Sequence, residues 1–266
     1  MTQPLRIVIT GAGGRMGTAI NAAVRATPGL ALHAFTERAG NPLVGAMLDG
    51  APVVDSLAKA LEGADAVIDF TMPEASLEHV KLCAEKKVPI VLGTTGFTPA
   101  QKAEISSYAT KTAVVFAPNM SVGVNVLLRI AAEVAQVLGD DYDIEIVETH
   151  HRLKKDAPSG TALGLAESIA KAIEIDPVKD LVKTRDGFTG ERPKRVIGVQ
   201  TLRGGDVVGD HTVFFLGQGE RIELTHKATS RSNFAQGAAR AAKWIAGKPA
   251  GLYDMQDVLG LKGNAK

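Results

Sequence analysis

The sequence predicts an α/β chain in which a doubly wound parallel sheet is followed by an α+β domain built on a mixed sheet. Three observations carry this reading. Apolar runs rich in β-branched residues recur at 5–10, 31–37, 66–71, 88–93 and 113–118, separated by Ala-rich stretches of helical length. The first of these runs feeds into a cluster of glycines that opens a helix. Beyond Gly139 the alternation stops and closely spaced β runs take over.

A parallel sheet is covered by helices on both faces, so its strands read as near-continuous apolar runs, as Ile7-Val8-Ile9 and Val67-Ile68 do. The first strand leads into Gly11-Ala12-Gly13-Gly14-Arg15-Met16-Gly17, after which Met16, Ile20 and Val24 mark one helix face. Glycines there allow the tight turn and the close approach of backbone N–H groups to a pyrophosphate, while the helix N-terminus supplies partial positive charge. The common spacing is G-x-G-x-x-G; Gly11, Gly14 and Gly17 give G-x-x-G-x-x-G, with Gly13 extra. The reading is a Rossmann-like dinucleotide-binding domain. The second strand ends at Glu37-Arg38, with Glu37 lying 20 residues after Gly17. A carboxylate there accepts from the adenosine ribose hydroxyls of NAD, and an adjacent guanidinium pairs with the 2′-phosphate of NADP, so either NADH or NADPH is expected. Gly93-Thr94-Thr95-Gly96 and Ala117-Pro118-Asn119-Met120 follow the C-terminal ends of later strands and are expected to line the nicotinamide half.

The amphipathic segment 121–138, with Val122, Val126, Ile130, Val134 and Leu138 on one stripe and Gly139 to stop it, carries the chain out of the first domain. A strand at 143–149, a helix opening at Ser159 and β runs at 195–202, 211–216 and 221–225 follow. Gly204-Gly205-Asp206 and Gly217-Gln218-Gly219 read as hairpin or bulged connections, and the polar tract 176–192 as a long surface loop. A helix at 233–246 ends at Gly247, and a short tail at 252–259 is expected to pack back on the first domain.

Strand 143–149 delivers His150-His151-Arg152-Leu153-Lys154-Lys155-Asp156, followed by Ala157-Pro158-Ser159-Gly160-Thr161-Ala162 at a helix start. Ser159 or Thr161 can cap that helix, and Gly160 and Thr161 place N–H groups and a hydroxyl at its positive end, which suits a carboxylate. Histidine and a lysine crowded by other cations can both deliver protons, so anion binding and proton supply share one segment. No metal is expected. His150 and His151 are strand neighbours that point to opposite faces, and no cysteine or carboxylate pair completes a set. His33 and His79 read as surface positions, and His211 and His226 as structural ones. Cys83 falls in the Ala-rich helix 74–85 and reads as packing.

Composition narrows the partners. With 30 basic against 29 acidic residues the formal charge is +1, which argues against nucleic acid or an acidic membrane surface. With 45% hydrophobic and 22% charged residues, no apolar run near the roughly 18 needed to span a bilayer and no signal-peptide pattern, a cytoplasmic globular protein is expected. The single cysteine excludes an internal disulfide.

These motifs resemble the dihydrodipicolinate reductase family, also called 4-hydroxy-tetrahydrodipicolinate reductase. The resemblance spans nearly the whole chain and rests on Gly11 to Gly17, on Gly93-Thr94-Thr95-Gly96, on Asn119 to Asn125, and above all on the run from Glu148 to Ala162. It implies a cofactor domain at 1–121 and 232–266, a substrate-binding and oligomerisation domain at 122–231, and a homotetramer. It implies the NAD(P)H-dependent reduction of (2S,4S)-4-hydroxy-2,3,4,5-tetrahydrodipicolinate to tetrahydrodipicolinate with loss of water, in diaminopimelate and lysine biosynthesis. It also implies His150 and Lys154 as the catalytic pair, His151, Gly160 and Thr161 on a cyclic dicarboxylate, and Gly11, Ala12, Gly13, Gly14, Arg15, Met16, Glu37, Arg38, Gly93, Thr94, Thr95, Ala117, Pro118, Asn119 and Met120 on the cofactor. One position departs from the pattern: Met72 stands where some members carry arginine.

Overall fold

Alternating apolar runs and helices assemble as sequence chemistry dictates in a computed structural model of the chain, which describes residues 3–262. The outermost residues of the expected first domain, 1–2 and 263–266, lie outside the described residues. The chain divides into two compact units, one of Met1–Val122 with Arg231–Lys266 and one of Gly123–Ser230.

The first unit runs β1 (Leu5–Thr10), α1 (Arg15–Ala26), β2 (Leu30–Thr36), β3 (Met47–Leu48), β4 (Ala51–Val54), α2 (Leu57–Ala60), β5 (Ala66–Asp69), α3 (Pro73–Lys86), β6 (Ile90–Leu92), α4 (Pro99–Tyr108) and β7 (Ala113–Phe116). The second begins in α5 (Val122–Leu138) and continues through β8 (Asp143–His150), α6 (Gly160–Ala172), β9 (Leu181–Val182), β10 (Ile197–Arg203), β11 (Gly209–Leu216) and β12 (Arg221–Ala228). The chain then returns to the first unit with α7 (Ser232–Ile245), β13 (Gly251–Tyr253) and α8 (Met255–Leu259).

The first sheet has the order β13-β7-β6-β5-β1-β2-β4-β3, parallel throughout except for the β3–β4 hairpin. Ile7, Val8, Ile9, Val67 and Ile68 are fully buried, as strands covered on both faces must be. Each such side chain contributes about 1.5–3 kcal/mol by leaving water. Strand order reverses between β1 and β5, and the crevice beyond their carboxyl ends is where an open α/β sheet takes its ligand. Helix α7 buries Ala235, Ala238, Ala239, Ala241 and Ala242, and Gly237 lies so close to the Met120 carbonyl that a Cβ would stand 1.8 Å from it. Small residues thus bring the returning helix hard against the core. β13 pairs with β7, and Met255 and Val258 are buried in the same cluster. The β3–β4 hairpin has no counterpart in the sequence reading, because two- and four-residue strands are too short to show a period of two.

In the second unit a five-stranded sheet has the order β12-β11-β8-β10-β9. β8 pairs parallel with β10 and antiparallel with β11, so the sheet is mixed. Gly217-Gln218-Gly219 does close the β11–β12 hairpin, whereas Gly204-Gly205-Asp206 does not form one. It joins β10 to β11, which flank β8, and passes the end of β8 with Gly204 N donating to His150 O and Arg152 N to Gly205 O. The tract 176–192 is likewise more than a surface loop. It contains β9, and Arg185 and Arg192 both donate to Glu145, holding its carboxyl below the usual range against the burial that would raise it. One further expectation is corrected. Val122–Asp141 is long and apolar enough to cross a membrane by length and composition, with mean hydropathy 1.5. Arg129 and Glu133 interrupt the continuous apolar run, and Leu127, Ala131 and Ala135 lie in the core of the second unit.

Candidate active site

Two constellations carry chemistry, one in each unit. In the first unit Gly11 has φ +68°, a left-handed conformation that favours glycine, and Gly14 N donates to Gly11 O at 3.0 Å to close the turn. A Cβ on Gly17 would stand 2.1 Å from Gly11 O, so only glycine lets α1 start this close to β1. Gly14 caps α1 in an extended conformation with no side-chain cap hydrogen bond, which leaves the first-turn N–H groups facing the crevice. Glu37 follows the last residue of β2, and its Oε1 accepts from Gly13 N at 2.8 Å. A cavity of about 330 Å³ beside it is lined by Gly11, Glu37, Arg38, Thr71, Met72 and His79, among others.

A second cavity, of about 280 Å³, brings together Arg15, Met16, Pro118, Asn119 and Met120 with Phe70, Arg231 and Phe234, three residues the sequence reading missed. Gly93 acts indirectly: its missing side chain makes room for the Phe70 ring, which a Cβ would meet at 2.2 Å. Ala117 is buried and Thr95 is exposed. Thr94 is turned inward, its Oγ1 lying 2.7 Å from Ser76 Oγ. Ser76 belongs to the shell of Asp69, a fully buried carboxylate that accepts from Thr71 N at 2.8 Å, Thr71 Oγ1 at 2.7 Å and Ser76 Oγ at 3.0 Å. His79 is therefore not a surface position. Its Nδ1 lies 2.5 Å from Asp69 Oδ2, because a carboxylate buried at the end of β5 needs a polar partner and α3 supplies one. Burial works to raise the Asp69 pKa, but His79 and Thr71 outweigh it and hold the group low. Burial pushes the Cys83 thiol upward, which makes it a packing group rather than a nucleophile.

The second constellation grows out of strand register. On the helix-covered face of the second sheet, Ile197, Ile144 and Phe215 form one cross-strand row, and Val199, Ile146 and Val213 the next. The third row is Thr201, Glu148 and His211, and in the fourth Arg203 stands beside His150. Alternation along β8 thus carries an apolar stripe into an acid and an imidazole at the strand's end. Glu148 is fully buried, and four donors converge on it: Ser159 N at 3.0 Å, Thr201 Oγ1 at 3.1 Å, and Arg203 through both terminal nitrogens at 2.8 and 2.9 Å; His150 Nδ1 lies 2.6 Å away. Burial alone would raise its pKa; Arg203, His150 and Ser159 more than reverse this and bring it down to about 2. His150 moves below the ordinary histidine range, chiefly through burial, although Glu148 pulls the other way. His211 is buried against the His150 ring, centroids 5.2 Å apart, and is lowered to about 4 by burial and by His150.

Ser159 is the N-cap of α6: its Oγ accepts from Ala162 N and lies 3.0 Å from His211 Nε2. Gly160 and Thr161 open the helix, and a Cβ on Gly160 would meet nothing within 4 Å. His151 Nδ1 is buried without a hydrogen-bond partner among the described residues, a ring nitrogen suited to a ligand. Lys154 Nζ donates to both oxygens of Asp156 at 2.9 Å, while Arg152 and Lys155 are exposed. Arg203 escaped the sequence reading and His211 read as structural, because only register brings them to His150, whereas Glu148 stands two residues before it on the same strand. No group of three or more metal-ligating side chains occurs among the described residues.

Comparison with known proteins gives a consistent result. Residues 5–120 match the family model described as dihydrodipicolinate reductase, N-terminus, and residues 123–259 the one described as dihydrodipicolinate reductase, C-terminus. The chain is 58% identical over 266 residues to a 4-hydroxy-tetrahydrodipicolinate reductase of Anaeromyxobacter dehalogenans, covering 97% of this chain and 98% of the relative. It is 54% identical over 265 residues to one of Thiobacillus denitrificans, covering 97% and 99%. A dipicolinate-bound dihydrodipicolinate reductase from Paenisporosarcina shares the fold, with TM-score 0.78 at 24% identity over 96% of this chain and 99% of that one.

Proposed function

The chain belongs to the dihydrodipicolinate reductase family, and from that premise we propose that it reduces 4-hydroxy-tetrahydrodipicolinate to tetrahydrodipicolinate with loss of water, using NAD(P)H, in diaminopimelate and lysine biosynthesis. The observation that carries this reading is the fourth row of the second sheet. There Arg203 and His150 stand above Glu148, next to an uncrowded helix N-terminus at Gly160 and Thr161.

The first unit fits a dinucleotide. The turn at Gly11 to Gly17 is a cradle that side chains would fill, and the first-turn amides of α1 and the Glu37 carboxylate face it. Residues Gly11, Ala12, Gly13, Gly14, Arg15 and Met16 would hold the pyrophosphate, and Pro118, Asn119 and Met120 would hold the nicotinamide half, with Gly93, Thr94, Thr95 and Ala117 supporting it from behind through backbone and packing. When bound, the nicotinamide supplies a hydride. Glu37 would accept from ribose hydroxyls and the exposed Arg38 would pair with a 2′-phosphate, so either NADH or NADPH would serve.

The substrate is a dianion. Gly160 N, Thr161 and His151 receive its carboxylates at the positive end of α6, where aligned peptide dipoles favour negative charge. The overall change consumes one hydride and one proton and releases one water. As the ring takes the hydride, electron density builds on it and must be met by a proton. Lys154 and His150 are the groups placed to manage that proton. The second sheet, on the face away from α6, exposes Leu202 and Leu216, which supports a homotetramer built through that sheet; a cytoplasmic location is part of the same proposal.

The test is NADPH and NADH oxidation with substrate generated in place by the preceding synthase reaction. Oxidation that depends on the substrate supports the reading, and a rate no higher than background refutes it. Light scattering measures the assembly, for which a mass of about four chains is expected.

A further inference from the structure

We propose that Glu148 is the positioning residue of the reaction centre: its carboxylate holds His150 in the form protonated at Nδ1, with Nε2 left as an acceptor, and ties that ring to both the carboxylate cradle and Lys154. This rests on the reductase reading for its consequence, but its geometry stands apart from it.

The argument is one of hydrogen-bond supply. An ionised carboxylate only accepts. Oε1 of Glu148 takes Ser159 N, Thr201 Oγ1 and one Arg203 nitrogen, and Oε2 takes the other Arg203 nitrogen, which leaves the His150 ring as the remaining partner on Oε2. His150 must therefore donate through Nδ1. A neutral imidazole carries one proton, so Nε2 has none. The groups facing this ring agree. From β10 comes Arg203, from β11 the buried His211, and from the loop after β8 comes Lys154, so two cations stand near the ring and disfavour a second proton on it.

The ring also has a built seat: it packs against Gly209 of β11, where a Cβ would stand 2.9 Å from Nε2, so only glycine there leaves room for this placement of the imidazole. The same carboxylate reaches further. Through Ser159 N it fixes the residue that caps α6, and Arg203 donates onward to the Asp156 carbonyl at 2.7 Å, beside the carboxylate that holds Lys154. Imidazole, ammonium and anion cradle thus share one buried anchor. Its consequence for the reaction is a division of labour: Lys154 releases the proton the ring requires, while His150 meets the substrate through an acceptor nitrogen whose position Glu148 sets.

The test uses the full chain with histidine labelled in nitrogen-15 and reads imidazole nitrogen–proton correlations at neutral pH without substrate. The wild-type protein is expected to show His150 protonated at Nδ1 and bare at Nε2. In Glu148→Gln the amide oxygen remains with Ser159 N and Arg203, so the amide nitrogen faces Nδ1 and the proton moves to Nε2. Turnover is then expected to fall by about 10²-fold or more, with a changed pH profile and cofactor binding unaltered. Glu148→Asp, which retains a carboxylate, should restore the Nδ1 proton and part of the rate. Wild-type His150 protonated at Nε2, or a Gln variant with the wild-type tautomer and rate, overturns the proposal. Should the Gln variant not fold, the wild-type tautomer decides alone. Because the tautomer is read without substrate, failure of NAD(P)H oxidation would count against the reductase reading and leave this result intact.

Discussion

Replacing Arg203 by methionine isolates the electrostatics of the second unit. Methionine keeps much of the side-chain length but leaves Glu148 fully buried without its guanidinium. A carboxyl that titrates at about 2 instead of the ordinary 4.5 has its ionised form favoured by about 3 kcal/mol. Arg203 is the leading group that lowers it, ahead of His150 and Ser159. Breaking a buried pair on one side costs about 3–5 kcal/mol, so Arg203→Met is expected to lose about 3 kcal/mol at neutral pH, or roughly 6–12 °C in Tm. The sign of the pH dependence follows from the depressed pKa. The stabilisation is complete above the ordinary glutamate range and is withdrawn as pH falls from about 4.5 toward 2, so the gap between wild type and variant should narrow over that window. Urea unfolding followed by circular dichroism measures both. The double variant Glu148→Gln with Arg203→Met should be more stable than the sum of the single losses predicts, since removing the charge removes the need for its partner. A loss under about 1 kcal/mol for Arg203→Met, or strict additivity in the double variant, would refute the reasoning.

Four other outcomes are expected. Gly17→Ala places a Cβ 2.1 Å from Gly11 O, so calorimetric titration should show dinucleotide affinity reduced at least about 10-fold even where the protein folds. Gly160→Ala meets no neighbour, so its unfolding midpoint should match wild type while KM for the dicarboxylate rises, because the added methyl crowds the incoming anion. Arg38→Ala should weaken NADPH more than NADH, as competition titrations will read, since an exposed guanidinium pairs with the 2′-phosphate alone. Cys83 should resist thiol reagents in the folded protein and react on unfolding, and reagent-treated and untreated folded samples should not differ in turnover, because its thiol is buried and pushed upward.

Local chemistry was enough to locate the glycine turn. Gly11, Gly14 and Gly17 have a spacing whose cause is steric and within one turn of chain, and Glu37 falls where β2 must end. The cationic segment with its capped helix was equally local, since Ser159 caps α6 within three residues. What failed to appear was whatever depends on register. His79 looks like a helix surface residue until β5 delivers Asp69 beside it. Gly204 to Asp206 has turn composition, yet its strands flank β8 instead of pairing. Arg185 and Arg192 read as loop polarity until Glu145 is set opposite them.

By itself, then, the sequence determined the two-part α/β architecture, the dinucleotide cradle and the run from His150 to Thr161, because hydrophobic period, glycine sterics and helix capping act over a few residues. Tertiary structure alone decided which groups govern that run. Thr201, Arg203, Gly209 and His211 come from two other strands up to 61 positions from His150, and only the parallel pairing of β10 and the antiparallel pairing of β11 against β8 bring them to its imidazole and to Glu148 two residues before it. The paired Arg203–Glu148 hydrogen bonds at 2.8 and 2.9 Å demand that alignment, and no periodicity along the chain encodes it.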